Sequence, residues 1–346
     1  MPAVSATIAR KEVFCYDADA SGFAPLASSI VLRCPVCSWD GNARPYESLA
    51  AESNLVECQA CSFKISQDRG IWKTLLPVRQ EYFARFVGEY EQVRKAEGRG
   101  STAADFYLAL PFRDTTGKNA WQWSIRARTY AYLVRKILPG LRRKAGSTSL
   151  KILDLGAGNG WLSHRVSRLG HRPVAVDLLT NEFDGLGAAI HYKSAVPKGF
   201  LRFQAELDHL PFADEQFDCA IFNASFHYSE NYESTLAEAM RCISPGGTIV
   251  IADSPTYSND AAGRRMVEER QEFFQKNFGF KSNGLRSSEY LTPERLLALA
   301  ARHRFAWRTH RVWYGWRWAS RPLFSRLEKR REPSQFCIYT ARVKEQ

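Results

Sequence analysis

The sequence predicts an α/β fold: a doubly wound, mostly parallel sheet, preceded by a small cysteine-held module and a helical connector. Three observations predict it. Between residues 148 and 255 short apolar runs alternate with helical stretches, and runs such as Ile249-Val250-Ile251 are unbroken, as suits strands buried on both faces. Nearer the N-terminus, two Cys-x-x-Cys pairs stand twenty residues apart. Between those pairs and the alternating region, apolar residues recur at the three- and four-residue spacing of a helix face.

Composition frames this reading. A chain of 346 residues, 45% hydrophobic and 24% charged, has room for several domains with a real core. Disordered, collagen-like and disulfide-stapled classes are excluded on the same grounds. No run of apolar residues is long enough for a membrane-spanning helix. Met1 to Phe14 contain no apolar stretch, so no signal peptide is expected and a cytoplasmic location is. Cys15, Cys219, Cys242 and Cys337 are scattered and make no disulfide framework; Cys219 reads as core.

Residues 1–30 show no periodicity and are expected to form an N-terminal extension. Residues 31–76 hold Cys34-Pro-Val-Cys37 and Cys58-Gln-Ala-Cys61. Four thiolates are the tetrahedral set a Zn²⁺ ion prefers, and with no open position the metal would be structural, in a zinc ribbon. Residues 77–147 are expected to be a helical connector. Tyr82, Phe83, Phe86, Val87, Tyr90 and Val93 mark one helix, stopped by Gly98-Arg99-Gly100. Trp123, Ala127, Tyr130, Val134 and Ile137 mark a second over 121–138, ended by Pro139-Gly140.

The core, 148–255, is expected to carry strands at 151–155, 173–176, 201–204, 219–223 and 248–252. Residues 256–346 complete the chain with helices near 264–276 and from Thr292-Pro293, an N-cap followed by Pro at N1. Strands at 305–313 and 335–343 and a basic, aromatic tail follow.

The net charge of +12 is unevenly spread. The stretch 126–144 has seven Lys/Arg and no acid, and 302–331 has ten against Glu328 alone. Such clusters imply an anionic partner: RNA, a lipid headgroup or an acidic metabolite. In the second stretch Trp307, Trp313, Tyr314, Trp316 and Trp318 interleave with Arg308, Arg311, Arg317 and Arg321. That mixture suits base stacking or a membrane interface. For 305–313 a terminal strand with its aromatics packed inward is the expected form.

The strongest chemical signal is Leu153-Asp154-Leu155-Gly156-Ala157-Gly158-Asn159-Gly160, which follows a strand and opens a helix over 161–169. Glycines there let backbone approach a ligand closely. A dinucleotide fingerprint would place Gly or Ala where Trp161 stands. The Asp154 carboxylate disfavours a pyrophosphate but suits a ligand with ammonium and sulfonium groups. Asp177 ends the next strand, about twenty residues on, where a carboxylate accepts hydrogen bonds from ribose hydroxyls. Ala205 to Phe212, Phe217-Asp218 and Ser244-Pro245-Gly246-Gly247 follow in order.

On these residues the chain resembles the class I S-adenosylmethionine-dependent methyltransferases, of the type that includes quinone and small-molecule methyltransferases, over about residues 148–255. The resemblance implies a Rossmann-like core in which Gly156, Gly158 and Gly160 cradle the methionyl part and Asp154 contacts its amino group. It implies Asp177 on the ribose, Glu206 accepting from the adenine amino group and the Leu207 backbone beside it. Many relatives carry Asp where Glu206 stands, which shifts that contact. Asn223 to Tyr228 would line the space beneath the methyl group, with the connector capping the site.

Methyl transfer is an in-line displacement at carbon, and a protonated nucleophile needs a base. His227 is the candidate base because its ordinary pKa lies near neutrality; Tyr228, Asn223 and Asp253 are weaker candidates. The segment reads Asn223-Ala224-Ser225-Phe226, not Asn-Pro-Pro-Tyr, and no Pro-Cys follows the fourth strand. Adenine-N6, glutamine-N5 and cytosine-C5 acceptors are therefore disfavoured. The run from Ser62 to Ile71 resembles the zinc ribbons of small activators of RNA methyltransferases and of large-subunit rRNA guanine methyltransferases. The expected acceptor is a small or lipid-like molecule, with peripheral membrane contact but no membrane span. The alternatives are an rRNA or tRNA base methyltransferase that grips RNA through the ribbon, and a non-catalytic zinc-dependent scaffold retaining a nucleoside pocket.

Overall fold

A computed structural model describes residues 30–38, 40, 54–196 and 199–344. Apart from Ile30, the expected N-terminal extension, with Cys15, lies outside the described residues.

Three short strands come first: β1 (Leu55–Glu57), β2 (Lys64–Asp68) and β3 (Ile71–Lys73). The helices α1 (Pro77–Ala96), α2 (Ala104–Ala109), α3 (Ala120–Tyr132) and α4 (Leu138–Ala145) follow. The alternating region supplies β4 (Lys151–Leu155), α5 (Trp161–Ser167), β5 (Arg172–Asp177), β6 (Leu201–Gln204), β7 (Phe217–Asn223), α6 (Tyr232–Cys242) and β8 (Ile243–Ala252). The chain then forms α7 (Asp260–Phe278), α8 (Pro293–Arg302), β9 (Arg308–His310), α9 (Trp316–Ala319), α10 (Arg321–Leu327) and β10 (Ile338–Arg342).

All ten strands join one sheet, in the order β1-β2-β3-β6-β5-β4-β7-β8-β10-β9. The six strands from β3 to β8 in that order run parallel, and β10 returns antiparallel against β8. This is the expected α/β, Rossmann-like architecture. Its unbroken apolar strands are explained by cores on both faces: Ile249 and Ile251 pack in one cluster, Val250 in the other. The strand order proceeds outward from β4 in both directions, so a crevice opens beyond the carboxyl ends of β4 and β7.

The cysteine-bearing segment is not a separate knob. β3 pairs with β6, Trp72 opposite Phe203, and Ile65 and Trp72 are buried in the main core. Two helical expectations change. The helix over 121–138 is three pieces: α3, a π-helical turn at Leu133–Ile137, and α4, capped by Gly146 in the left-handed region. Pro139 does not end a helix. Its missing amide hydrogen is absorbed by the wide turn before it, and it falls in the first turn of α4, where no such bond is needed.

The expected strand over 305–313 shrinks to three residues. Trp307 packs inward and donates Nε1–H to the Leu296 carbonyl at 2.8 Å, whereas Trp313 is 58% exposed. The inward alternation thus stops halfway, because the chain leaves the sheet toward Gly315 and α9. The fifth core strand is longer than expected: the turn at 244–247 is carried within β8 as a register shift against β7. Thr292 caps α8 as its sequence position predicts, accepting from the Arg295 amide at 3.2 Å. No helix among the described residues is long and apolar enough to cross a membrane.

Candidate active site

Beyond β4 the chain turns through Gly156 and Gly158, at φ 72° and 55°. The Gly156 and Ala157 amides donate to the Val176 carbonyl at 2.8 and 3.0 Å, tying the turn to β5. A Cβ on Gly156 would stand 2.3 Å from the Ser225 Cβ. Ser225 is itself fixed by its hydroxyl, which donates to the Leu155 carbonyl at 2.5 Å. Only glycine lets the two loops meet this closely.

Asp177, at the end of β5, accepts from the Gly158 amide at 2.7 Å and the Leu179 amide at 2.8 Å. Burial pushes its pKa up to about 6 against the pull of those amides. Glu206, after β6, is gripped by the Arg79 guanidinium of α1, with contacts of 2.6 to 3.1 Å to both carboxylate oxygens. Burial raises the pKa of Glu206, and the Arg79 hydrogen bonds lower it.

These groups line one open cleft. Gly156, Gly158, Asp177, Glu206, Leu207, Asn223 and Tyr228 are all on its wall. α1 crosses it with Phe83, Phe86, Tyr90 and Arg94, and α3 adds Trp123 and Arg126.

Three expected residues lie elsewhere. Asp154 is 1% exposed and sits behind the glycine turn, accepting from the Ser163 hydroxyl at 2.7 Å, with its pKa raised by burial to about 7. Gly160 faces the Phe200 ring. His227, the candidate base, does not line the cleft. It is buried beneath Tyr228, with Nδ1 3.3 Å from the Ser254 hydroxyl. Burial, then the charges of Arg126 and Arg270, push its pKa down to about 3. An imidazole this reluctant to take a proton is a weak base at neutral pH.

Sequence reading also missed cleft residues. Arg94 forms a buried ion pair with Asp184, which also accepts from Asn159 Nδ2 at 3.3 Å. Tyr90 meets Tyr228 edge to face, ring centroids 5.8 Å apart. The signal for these was present in α1: Arg79 and Arg94 stand on the same three- and four-residue spacing as Phe83, Phe86 and Tyr90. Two cations ending an apolar stripe mark a helix that covers a polar site, not one sunk in a core.

The four cysteines converge. Cys34, Cys37, Cys58 and Cys61 hold their Sγ atoms within 4.8 Å of one another, with Cys34–Cys61 and Cys37–Cys58 at 3.6 Å. Thiolates 2.3 Å from a tetrahedral zinc stand roughly 3.8 Å apart, so the donor set fits that ion. The two knuckles are alike. Ser38 and Ser62 both take left-handed conformations and return their amides to the Cys34 and Cys58 carbonyls at 2.9 and 2.8 Å. The first knuckle docks on the loop carrying Glu206: His209 Nε2 lies 2.7 Å from the Pro35 carbonyl, and the Arg33 amide donates to Pro211 at 3.0 Å.

Residues 153–251 match the family described as "Methyltransferase domain". The chain carries a methyltransferase domain. The matched stretch contains the glycine turn, Asp177, Glu206 and Asn223; the cysteines and α1 lie outside it. The chain is 28% identical over 130 residues to malonyl-[acyl-carrier protein] O-methyltransferase of Buchnera aphidicola, covering 36% of this chain and 49% of that protein. It is 29% identical over 189 residues to demethylmenaquinone methyltransferase of Thermus thermophilus, covering 50% and 84%. The chain thus spans about half the length of the first of these curated relatives. Among solved structures, an S-adenosylmethionine-dependent methyltransferase from Mesorhizobium loti is 20% identical, with a TM-score of 0.40, over 59% of this chain and 96% of the other.

Proposed function

We propose that the protein is an S-adenosylmethionine-dependent methyltransferase acting on a small or lipid-like acceptor. The observation that carries this reading is the single cleft that unites the glycine turn, Asp177 and Glu206 at one end with an aromatic wall at the other. In this reading Asp177 holds the ribose hydroxyls, and Glu206 with the Leu207 backbone addresses the adenine. Asn223 and Tyr228 border the reacting carbon. The acceptor's lone pair bonds to the methyl carbon while the carbon–sulfur bond breaks, its electron pair going to sulfur. Residues 77–147 act as the cap, 148–255 as the cofactor-binding core, and 256–346 as its completion.

The four cysteines would hold Zn²⁺ as a structural ion in residues 31–76, fixing a segment too small to fold alone. The names of the two relatives, one for a malonyl-[acyl-carrier protein] and one for a demethylmenaquinone, support a small or lipid-like acceptor.

The test is calorimetry with S-adenosylhomocysteine, followed by transfer of labelled methyl to soluble metabolites, lipid extract and total RNA in parallel. Label in the first or second fraction is expected. Absence of any homocysteine-nucleoside binding defeats the reading, and binding without transfer to any fraction favours the scaffold alternative.

Peripheral contact with an anionic lipid surface belongs to the same reading. Trp316 and Leu327 are 81% and 70% exposed, and Trp313, Leu323 and Phe324 stand exposed near them, among Arg317, Arg326, Lys329 and Arg330. Leucines cannot stack on bases, so this mixture favours a bilayer interface over RNA. Sedimentation with phosphatidylglycerol vesicles is expected. Binding to RNA but not to vesicles would reverse the preference.

A further inference from the structure

Two arginines line the cleft, and only one is neutralised. Arg94 is paired with Asp184. Arg126, from α3, has no ion pair and no hydrogen bond among the described residues; its guanidinium lies over the Trp123 ring, 4.8 Å from the centroid. The acid whose charge reaches it, Asp253, makes no hydrogen bond or ion pair with it. Its Oδ1 accepts from the Thr129 hydroxyl at 2.6 Å, and its Oδ2 is buried without a partner.

Burial, joined by the nearby cations Arg94 and Arg99, lowers the Arg126 pKa to about 10. A guanidinium held against an aromatic wall without a counter-ion is costly, and the cost is recovered when an anion enters. The wall beside it, Phe86, Tyr90, Trp123 and Tyr228, is suited to an apolar body.

We propose that the acceptor is an apolar or aromatic carboxylic acid, bound as its carboxylate by Arg126. Arg126 is then the residue that selects charge in the acceptor, and the aromatic wall selects shape. The inference rests on the methyltransferase reading, and its experiment separates the two.

Protein loaded with S-adenosylhomocysteine is titrated calorimetrically with octanoate, benzoate and 2-naphthoate, each against its primary amide. At least one acid is expected to bind about tenfold tighter than its amide, the scale of one charge-assisted pair. Arg126→Gln should abolish that preference, and Arg126→Lys should keep part of it. If S-adenosylhomocysteine itself fails to bind, the methyltransferase reading fails. If it binds and no acid is preferred over its amide in the unaltered protein, this inference alone is overturned. A preference that survives in Arg126→Gln also overturns it.

Discussion

Asp177 and Asp154 carry raised pKa values, about 6 and about 7, because burial disfavours their charged forms. An acid whose folded pKa lies above its ordinary 3.8 favours folding most when protonated. Its ionisation above that value costs the empty protein stability. In the proposed reading, ribose hydroxyls that donate to Asp177 reverse the preference there, because they need that carboxylate ionised; Asp154, behind the turn, is not part of this contact. Cofactor affinity should therefore fall as pH drops from 7 through 6 and below, and binding should release protons in that window. Calorimetry in two buffers of different ionisation heat measures both; a flat profile would contradict the assignment. Asp177→Ala should weaken S-adenosylhomocysteine binding by about 1–3 kcal/mol, through lost buried hydrogen bonds. Unchanged affinity would remove Asp177 from the ribose.

The glycine turn, Asp177 and Glu206 were legible in the sequence because the chemistry sits at fixed offsets from strand ends. The burial of His227 was not legible, because a pKa near neutrality presumes water and its position in the fold removes water. Arg126 was invisible as a site residue, since only tertiary folding brings α3 to the cleft.

At the scale of elements, the first cysteine knuckle is hydrogen-bonded to the loop that carries Glu206, through Arg33, Pro35, His209 and Pro211. Cys34→Ser should release zinc, and with it loosen the Glu206 loop, lowering S-adenosylhomocysteine affinity several-fold. Metal content and calorimetry on the same sample check this. A variant that keeps its zinc, or that loses zinc with affinity unchanged, breaks the link. The spacing of the cysteines made the cluster readable, but not its neighbour, because no local pattern encodes which loop a knuckle will touch. Likewise the proline at 139 read as a stop signal, while the π-helical turn that bypasses it leaves no mark in the periodicity.

Across the whole molecule, the parallel centre of the sheet was legible from alternation alone, and its edges were not. The pairing of β3 with β6 joins residues far apart in the chain, and neither strand announces the other. Trp72 shows the consequence: it is 1% exposed and packs in the same cluster as Leu153 and Phe203. Trp72→Ala should cost about 3–5 kcal/mol. Urea unfolding should remain a single transition; an early separate loss of the cysteine segment would show that it folds independently.

The β3–β6 seam also governs how this polypeptide can be shortened. A fragment starting at Pro77 would strip β6 of its neighbour and leave a row of bare amides and carbonyls along one rim. Such a rim recruits strands from other molecules. The trimmed fragment is therefore expected to clump in light scattering at concentrations where the longer chain stays dispersed.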